Sequence, residues 1–213
     1  MSDQAMNAEI ARIVRLAPMI PVLTVEQAAH AAPLARALVA GGLRALEVTL
    51  RTSCALEAIR AMREAAPEAA VGAGTLLTPE DVAAAKAAGA VFGVSPGATD
   101  RLLDAAEAEG LPMLPGVATP SEAMRAAERG FETLKFFPAE PSGGRAALSA
   151  WAGPLPRLRF CPTGGVGVGN ARDWLALPNV VCVGGSWAAP REAVAAGDWA
   201  RVEALAREAA ALR

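Results

Sequence analysis

The segment Thr-Leu-Lys-Phe-Phe-Pro places Lys135 inside an apolar run, where an unpaired charge is costly to bury. A neutral primary amine attacks a ketone and forms a Schiff base; an ammonium does not, and burial favours the neutral form of a lysine. Arginine cannot fill this role, because it stays protonated. The distinction matters because the chain has 20 Lys+Arg and its only lysines are Lys86 and Lys135. Lys86, in Ala-Ala-Ala-Lys-Ala-Ala-Gly, suits the C-terminal end of a helix, where a cation complements the dipole. For Lys135 the other reading is a side chain that snorkels to solvent or pairs structurally with a carboxylate. Glu47, in Ala-Leu-Glu-Val-Thr-Leu, has two readings as well: an ion-pair partner or a general acid/base.

Side chains alternate along a strand, so Glu47, Thr49 and Arg51 share one face, and Lys135 shares its face with Thr133 and Phe137. If both faces point inward, a carboxylate, an ammonium and a guanidinium meet in one small space. Arg51 then offers a planar fork for a substrate carboxylate; an exposed charge at a loop start is the alternative. Thr75, in Gly-Ala-Gly-Thr, is either a turn residue or a donor to that same carboxylate.

Other chemistries are excluded by composition. His30 is the single histidine, so no metal site can rest on two or three histidines. It reads as a mid-helix surface residue. Cys54, Cys161 and Cys182 contain no CxxC pair and read as buried thiols of a reducing cytoplasm, with Cys161 inert next to Pro162-Thr163. The net charge of −2, with Arg scattered along the chain, argues against nucleic acid as a partner. No apolar run approaches the roughly 18 residues that span a bilayer, and the first residues, which mix acidic and basic side chains, do not read as a signal peptide.

The elements that must position these residues are short apolar runs alternating with Ala-rich helical runs. The apolar runs cover 19–24, 45–50, 70–74, 91–95, 113–117, 133–137, 158–161 and 180–184. Several lack clean alternation, as expected of parallel strands covered on both faces. Between them, a helix is predicted from Glu26 to Gly41-Gly42, and another over 55–66 with Thr52 and Ser53 as candidate N-caps. Thr78-Pro79-Glu80-Asp81 and Thr119-Pro120-Ser121-Glu122 are matched helix starts that end at Gly89 and Gly130. The tail 198–213 is an amphipathic helix. Eight such units in 213 residues predict one (β/α)₈ barrel domain over 1–213 with an N-terminal helical segment; a doubly wound open sheet is the alternative, but no GxGxxG follows the first strand. In such a barrel, chemistry gathers at the C-terminal strand ends. Thr163-Gly164-Gly165 and Gly184-Gly185-Ser186 end the last two strands, where backbone amides commonly hold phosphate.

With these residues in view, the chain resembles the 2-keto-3-deoxy-6-phosphogluconate (KDPG) aldolases and the related 4-hydroxy-2-oxoglutarate (KHG) aldolases, which are class I enzymes. The resemblance rests on Leu-Glu-Val-Thr-Leu-Arg-Thr (46–52), Val-Gly-Ala-Gly-Thr (71–75), Ser-Pro-Gly (95–97), Leu-Pro-Gly (114–116), Leu-Lys-Phe-Phe-Pro-Ala-Glu (134–140), Arg-Phe-Cys-Pro-Thr-Gly-Gly (159–165) and Gly-Gly-Ser-Trp (184–187). It implies a cytoplasmic homotrimer that needs no cofactor or metal and takes a phosphorylated keto-acid. Lys135 would be the Schiff-base lysine and Glu47 the acid/base. Arg51, Thr75 and Thr163 would hold the carboxylate end, and Gly164, Gly165, Gly184 and Ser186 the phosphate. The chain departs from the family after Thr-Gly-Gly, where Val166-Gly167-Val168-Gly169-Asn170 stands in place of the Ser or Pro that relatives often carry. Rival readings are an aldolase for 4-hydroxy-2-oxoglutarate or for the phosphorylated galactonate epimer, a silent phosphosugar-binding barrel, and an epimerase or isomerase.

Overall fold

The structure, a computed structural model, describes residues 3–212. Its strands are β1 (Met19–Leu23), β2 (Ala45–Thr49), β3 (Ala70–Gly74), β4 (Gly93–Val94), β5 (Met113–Leu114), β6 (Gly116–Val117), β7 (Thr133–Phe136), β8 (Arg159–Pro162) and β9 (Val183–Gly185). Each of the eight predicted apolar runs overlaps a strand, β8 and β9 running one residue past theirs, and β5 and β6 are a single run divided at Pro115, which has no N–H to give the ladder. All named pairings are parallel. They run in the orders β5-β4-β3-β2-β1-β9 and β6-β7-β8. Bridges Phe160–Val180 and Thr163–Gly184 join β8 to the β9 run and close the ring. This is the predicted barrel rather than an open sheet. Every residue of β2 and β3 is buried, which explains the missing alternation.

The helices are α1 (Asp3–Ile13), α2 (Ala31–Ala40), α3 (Ala55–Ala65), α4 (Pro79–Ala87), α5 (Asp100–Ala108), α6 (Pro120–Glu128), α7 (Gly144–Trp151), α8 (Ala171–Leu175), α9 (Arg191–Ala196) and α10 (Trp199–Ala210). The two matched starts form full capping boxes: Thr78 with Asp81 at α4, and Thr119 with Glu122 at α6. Asp198 caps α10 through the amide of Arg201; the predicted end of that helix at Arg213 lies outside the described residues.

Two starts differ from expectation. A 3₁₀ turn over Ala28–His30 precedes α2, so His30 sits at the helix entry rather than mid-helix, edge-on to Trp199 with ring centroids 5.6 Å apart. At α3 the N-cap is Cys54, with no side-chain cap bond, and not Thr52 or Ser53. The Thr52 hydroxyl instead donates to the Val25 carbonyl at 2.6 Å, and the Cys54 thiol to the same oxygen at 3.2 Å. A long-range acceptor outcompetes the local cap and ties the β2–α3 connection to the one after β1.

Apolar packing falls into two clusters. The larger lies between the strands and the surrounding helices. The smaller fills the barrel itself: Ile10 and Ile13 of α1, with Val14 just after it, pack on Ile20, Ala45, Ala70, Phe92, Val94, Leu114, Cys161 and Cys182. Because Ile20, Ala45 and Ala70 stand at or next to the first residue of their strands, α1 stops the N-terminal end of the barrel, and the opposite end is left for polar side chains. Ile13 is almost wholly buried there. Ile13→Ala should lower stability by about 2–5 kcal/mol, read as a shift of the urea midpoint. An unchanged midpoint would show that the stopper contributes nothing to the barrel.

Candidate active site

Lys135 comes from the middle of β7 and Glu47 from the middle of β2, strands on different sides of the ring. Their side chains meet inside it. Lys135 Nζ donates to Glu47 Oε1 at 3.3 Å, with Lys135 5% and Glu47 3% exposed. The Phe137 ring lies 5.2 Å from Nζ, so Lys135 and Phe137 share a face as the alternation implies, and that face points inward. The pair sits above the apolar stopper, on the C-terminal side.

Room for the carboxylate comes from a neighbouring strand. In register, Glu47 lies opposite Gly72 and Thr49 opposite Gly74. A β-carbon on Gly74 would overlap Glu47 Oε1 and Cγ, and one on Gly72 would overlap the Phe92 ring. Two glycines two residues apart, both on the inward face of β3, are the sequence signal for this space. Thr49, fully buried, donates to the Leu23 carbonyl at 2.9 Å and shares a 3.2 Å contact with Thr24, so it braces β2 against β1.

Thr75 follows β3 and is half-buried. It holds φ at 62°, and among the described residues no other non-glycine residue has a positive φ. This is a conformation that a β-branched residue adopts only where the surroundings enforce it. Thr163, buried at the end of β8, donates weakly to the Cys161 carbonyl at 3.4 Å. Gly184 stands against it: a β-carbon there would overlap the Thr163 hydroxyl. Gly164 and Gly165 follow in left-handed conformations, φ 96° and 83°, which only glycine adopts without strain. Ser186 is exposed just past β9.

Arg51 is not drawn into the Lys135–Glu47 pair. It is exposed at the start of the β2–α3 connection and makes no side-chain hydrogen bond or ion pair among the described residues. Ser95, which ends the fourth predicted run, is fully buried, and its hydroxyl has no hydrogen-bond partner among the described residues. Cys161 is buried in the barrel and Cys182 is buried as well, whereas Cys54 is half-buried. A cleft of about 310 Å³ opens between the connections after β1 and β9, lined in part by Val22, Thr24, His30 and Ser186, with the Glu26–Arg191 ion pair (2.8 Å) at its edge.

A buried amine and carboxylate in contact, with donors around the mouth, is an arrangement that can supply a nucleophile and a proton carrier to one space. Residues 10–205 match the family model of KDPG and KHG aldolases. The 2-dehydro-3-deoxy-phosphogluconate aldolase of Pseudomonas aeruginosa is 54% identical over 203 residues, 95% of this chain and 92% of that protein. The KDPG aldolase of Zymomonas mobilis ZM4, solved with 3-phosphoglycerate, superposes with a TM-score of 0.92 at 47% identity, covering 97% of each chain. The Legionella pneumophila KDPG aldolase, which holds pyruvate as a covalent carbinolamine, superposes with a TM-score of 0.91 at 42% identity, covering 93% of this chain and 97% of that one. With nearly the whole fold shared and half its residues identical, this chain belongs to the KDPG and KHG aldolase family.

Proposed function

We propose that the chain cleaves 2-dehydro-3-deoxy-6-phosphogluconate to pyruvate and glyceraldehyde 3-phosphate, with Lys135 as nucleophile and Glu47 as the group that moves protons. The observation that carries this reading is the buried contact between Lys135 Nζ and Glu47 Oε1. The covalent pyruvate in the Legionella protein and the name of the Pseudomonas relative support it.

The steps follow from the pair. Glu47, within hydrogen-bond reach, takes a proton from the amine, and the neutral amine adds to the C2 ketone. Glu47 gives that proton to the carbinolamine hydroxyl, which leaves as water, so the carboxylate is restored and an iminium remains as an electron sink for the C3–C4 bond. Glu47 then removes the C4 hydroxyl proton, directly or through water. The C3–C4 bond breaks, the aldehyde leaves, and its electrons remain as a pyruvate enamine. Glu47 returns a proton to C3, and water releases pyruvate and the free amine. Arg51, unengaged by any protein carboxylate, together with Thr75 and Thr163, is assigned to the carboxylate end of the substrate. Gly164, Gly165, Gly184 and Ser186 are assigned to the phosphate, where backbone amides can approach closely. The same reading, by resemblance, makes the protein a cytoplasmic homotrimer.

Borohydride reduction in the presence of pyruvate should leave a pyruvyl adduct on Lys135, seen by intact mass and peptide mapping. Lys135→Arg, with a charge of similar reach, should give neither adduct nor turnover. An unchanged wild-type mass would favour a silent phosphosugar-binding barrel.

Glu47→Gln should slow cleavage by about 10²–10⁴-fold while pyruvate is still trapped. Wild-type turnover in that variant would remove Glu47 from the mechanism.

Gly74→Ala should push the Glu47 carboxylate away from Nζ and cost at least tenfold in kcat. A crystal structure of that variant with the contact intact at 3.3 Å, and with full activity, would refute the role given to the space on β3.

A further inference from the structure

Glu140, on the connection after β7, has no part in the chemistry above, yet it holds the loop after β8 at several points. Its carboxylate oxygen Oε1 accepts from Trp174 Nε1 at 3.2 Å and from Asn170 Nδ2 at 3.2 Å. The same Asn170 amide group donates to the Gly165 carbonyl at 3.0 Å, and its Oδ1 accepts from the Gly167 amide at 2.8 Å. The backbone of the β7 connection adds two bonds: Ala139 N to the Thr163 carbonyl at 2.8 Å and Glu140 N to the Gly164 carbonyl at 3.0 Å. Gly165 also packs against the Glu140 side chain so closely that a β-carbon there would collide with its Cβ and Cγ. Trp174 is fully buried, so its indole N–H depends on this acceptor.

Three successive carbonyls, those of Thr163, Gly164 and Gly165, are thus turned toward the backbone amides of Ala139 and Glu140 and the Asn170 side chain. In a planar trans peptide the N–H points opposite the C=O. The amides of Gly165 and Val166 therefore point away from this clamp, and neither donates to a protein acceptor among the described residues. The bridge between Thr163 and Gly184 brings the loop beside the other glycine turn.

We infer that Glu140 is a positioning residue: its backbone amide holds the Gly164 carbonyl and its side chain, through Asn170, the Gly165 carbonyl, so that the amides of Gly165 and Val166 receive the substrate phosphate. This rests on the assignment of the phosphate end under Proposed function. The carboxylate sits near the site of a dianion, which on charge alone would weaken binding. Its two side-chain donors occupy it, and its contribution is the orientation of the loop.

The test uses the full chain with Glu140→Ala, Glu140→Gln and Asn170→Ala. Inorganic phosphate binding is measured by calorimetry, and KM and kcat with 2-dehydro-3-deoxy-6-phosphogluconate and with 4-hydroxy-2-oxoglutarate, which has no phosphate. Glu140→Ala and Asn170→Ala should weaken phosphate binding, and raise KM for the phosphorylated substrate, by roughly ten- to thirtyfold, the scale of a hydrogen bond to a charged group. kcat and the KM for 4-hydroxy-2-oxoglutarate should stay within about twofold. Glu140→Gln keeps the acceptor oxygen and should bind phosphate at least as well as the wild type. A purely structural role would lower the melting temperature and both substrates' kcat/KM together, and Gln would not rescue it; that result, or wild-type phosphate affinity in both Ala variants, overturns the inference. Phosphate calorimetry does not depend on catalysis, so failure to trap pyruvate on Lys135 would defeat the aldolase reading and leave this one to be judged separately.

Discussion

An ammonium and a carboxylate brought together in a nonpolar barrel set the terms for everything around them. Breaking such a contact by removing one partner strands the other and typically costs about 3–5 kcal/mol. The Lys135–Glu47 contact therefore needs strands that hold both backbones rigidly, and the two residues sit on strands that are not neighbours in the sheet order. Only a closed ring brings β2 and β7 face to face across an interior of this width. The barrel is in this sense a requirement of the pair. An open sheet would have left one of the two charges facing helix or solvent.

The interior is filled unevenly, and the unevenness makes the site. Below, α1 and the starts of the strands supply Ile10, Ile13, Val14, Phe92 and Leu114. Above, side chains shrink to Gly72, Gly74, Gly116 and Gly184. Two of these missing β-carbons leave room for buried polar side chains, Gly74 for Glu47 and Gly184 for Thr163. Glycine weakens a strand by loss of packing and by chain entropy. Here it appears where a buried polar side chain from the neighbouring strand needs the volume.

Much of this was legible in the residues. A lysine in an otherwise arginine-rich chain, set in an apolar run, pointed to Lys135. Period-two alternation grouped Glu47 with Thr49 and Lys135 with Phe137, leaving ring closure to turn both faces inward, and the matched Thr-Pro starts of α4 and α6 formed the boxes their spacing implied. What failed was what depends on distant partners. Thr52 reads as a helix cap because its local chemistry is right, but the Val25 carbonyl, 27 positions away, claims its hydroxyl. Glu140 looks like an ordinary exposed acid, and its partners lie 30 and 34 positions further on. Thr75 gives no local hint of a left-handed backbone, since Gly-Ala-Gly supplies residues better suited to it. The stopper role of α1 follows from ring closure, which pattern alone implies only loosely.

The charge distribution explains why these supporting residues matter to a doubly anionic substrate. With a net charge of −2 the chain generates no broad positive field to draw such a molecule in. Within the pair, Lys135 and Glu47 already neutralise each other. Under the proposed reading, attraction comes from groups that no acid among the described residues has claimed: the Arg51 guanidinium and the backbone amides of the loop after β8. Arg191 is held by Glu26, and Arg129 by Asp100, Asp104 and Glu107, which keep its guanidinium firmly protonated and engaged. Arg51 carries no such partner among the described residues. Where the chain does place a carboxylate close to the amide-rich loop, at Glu140, two donors occupy it. A site of this kind selects by the local alignment of a few donors, so its specificity is sensitive to the residues that aim them.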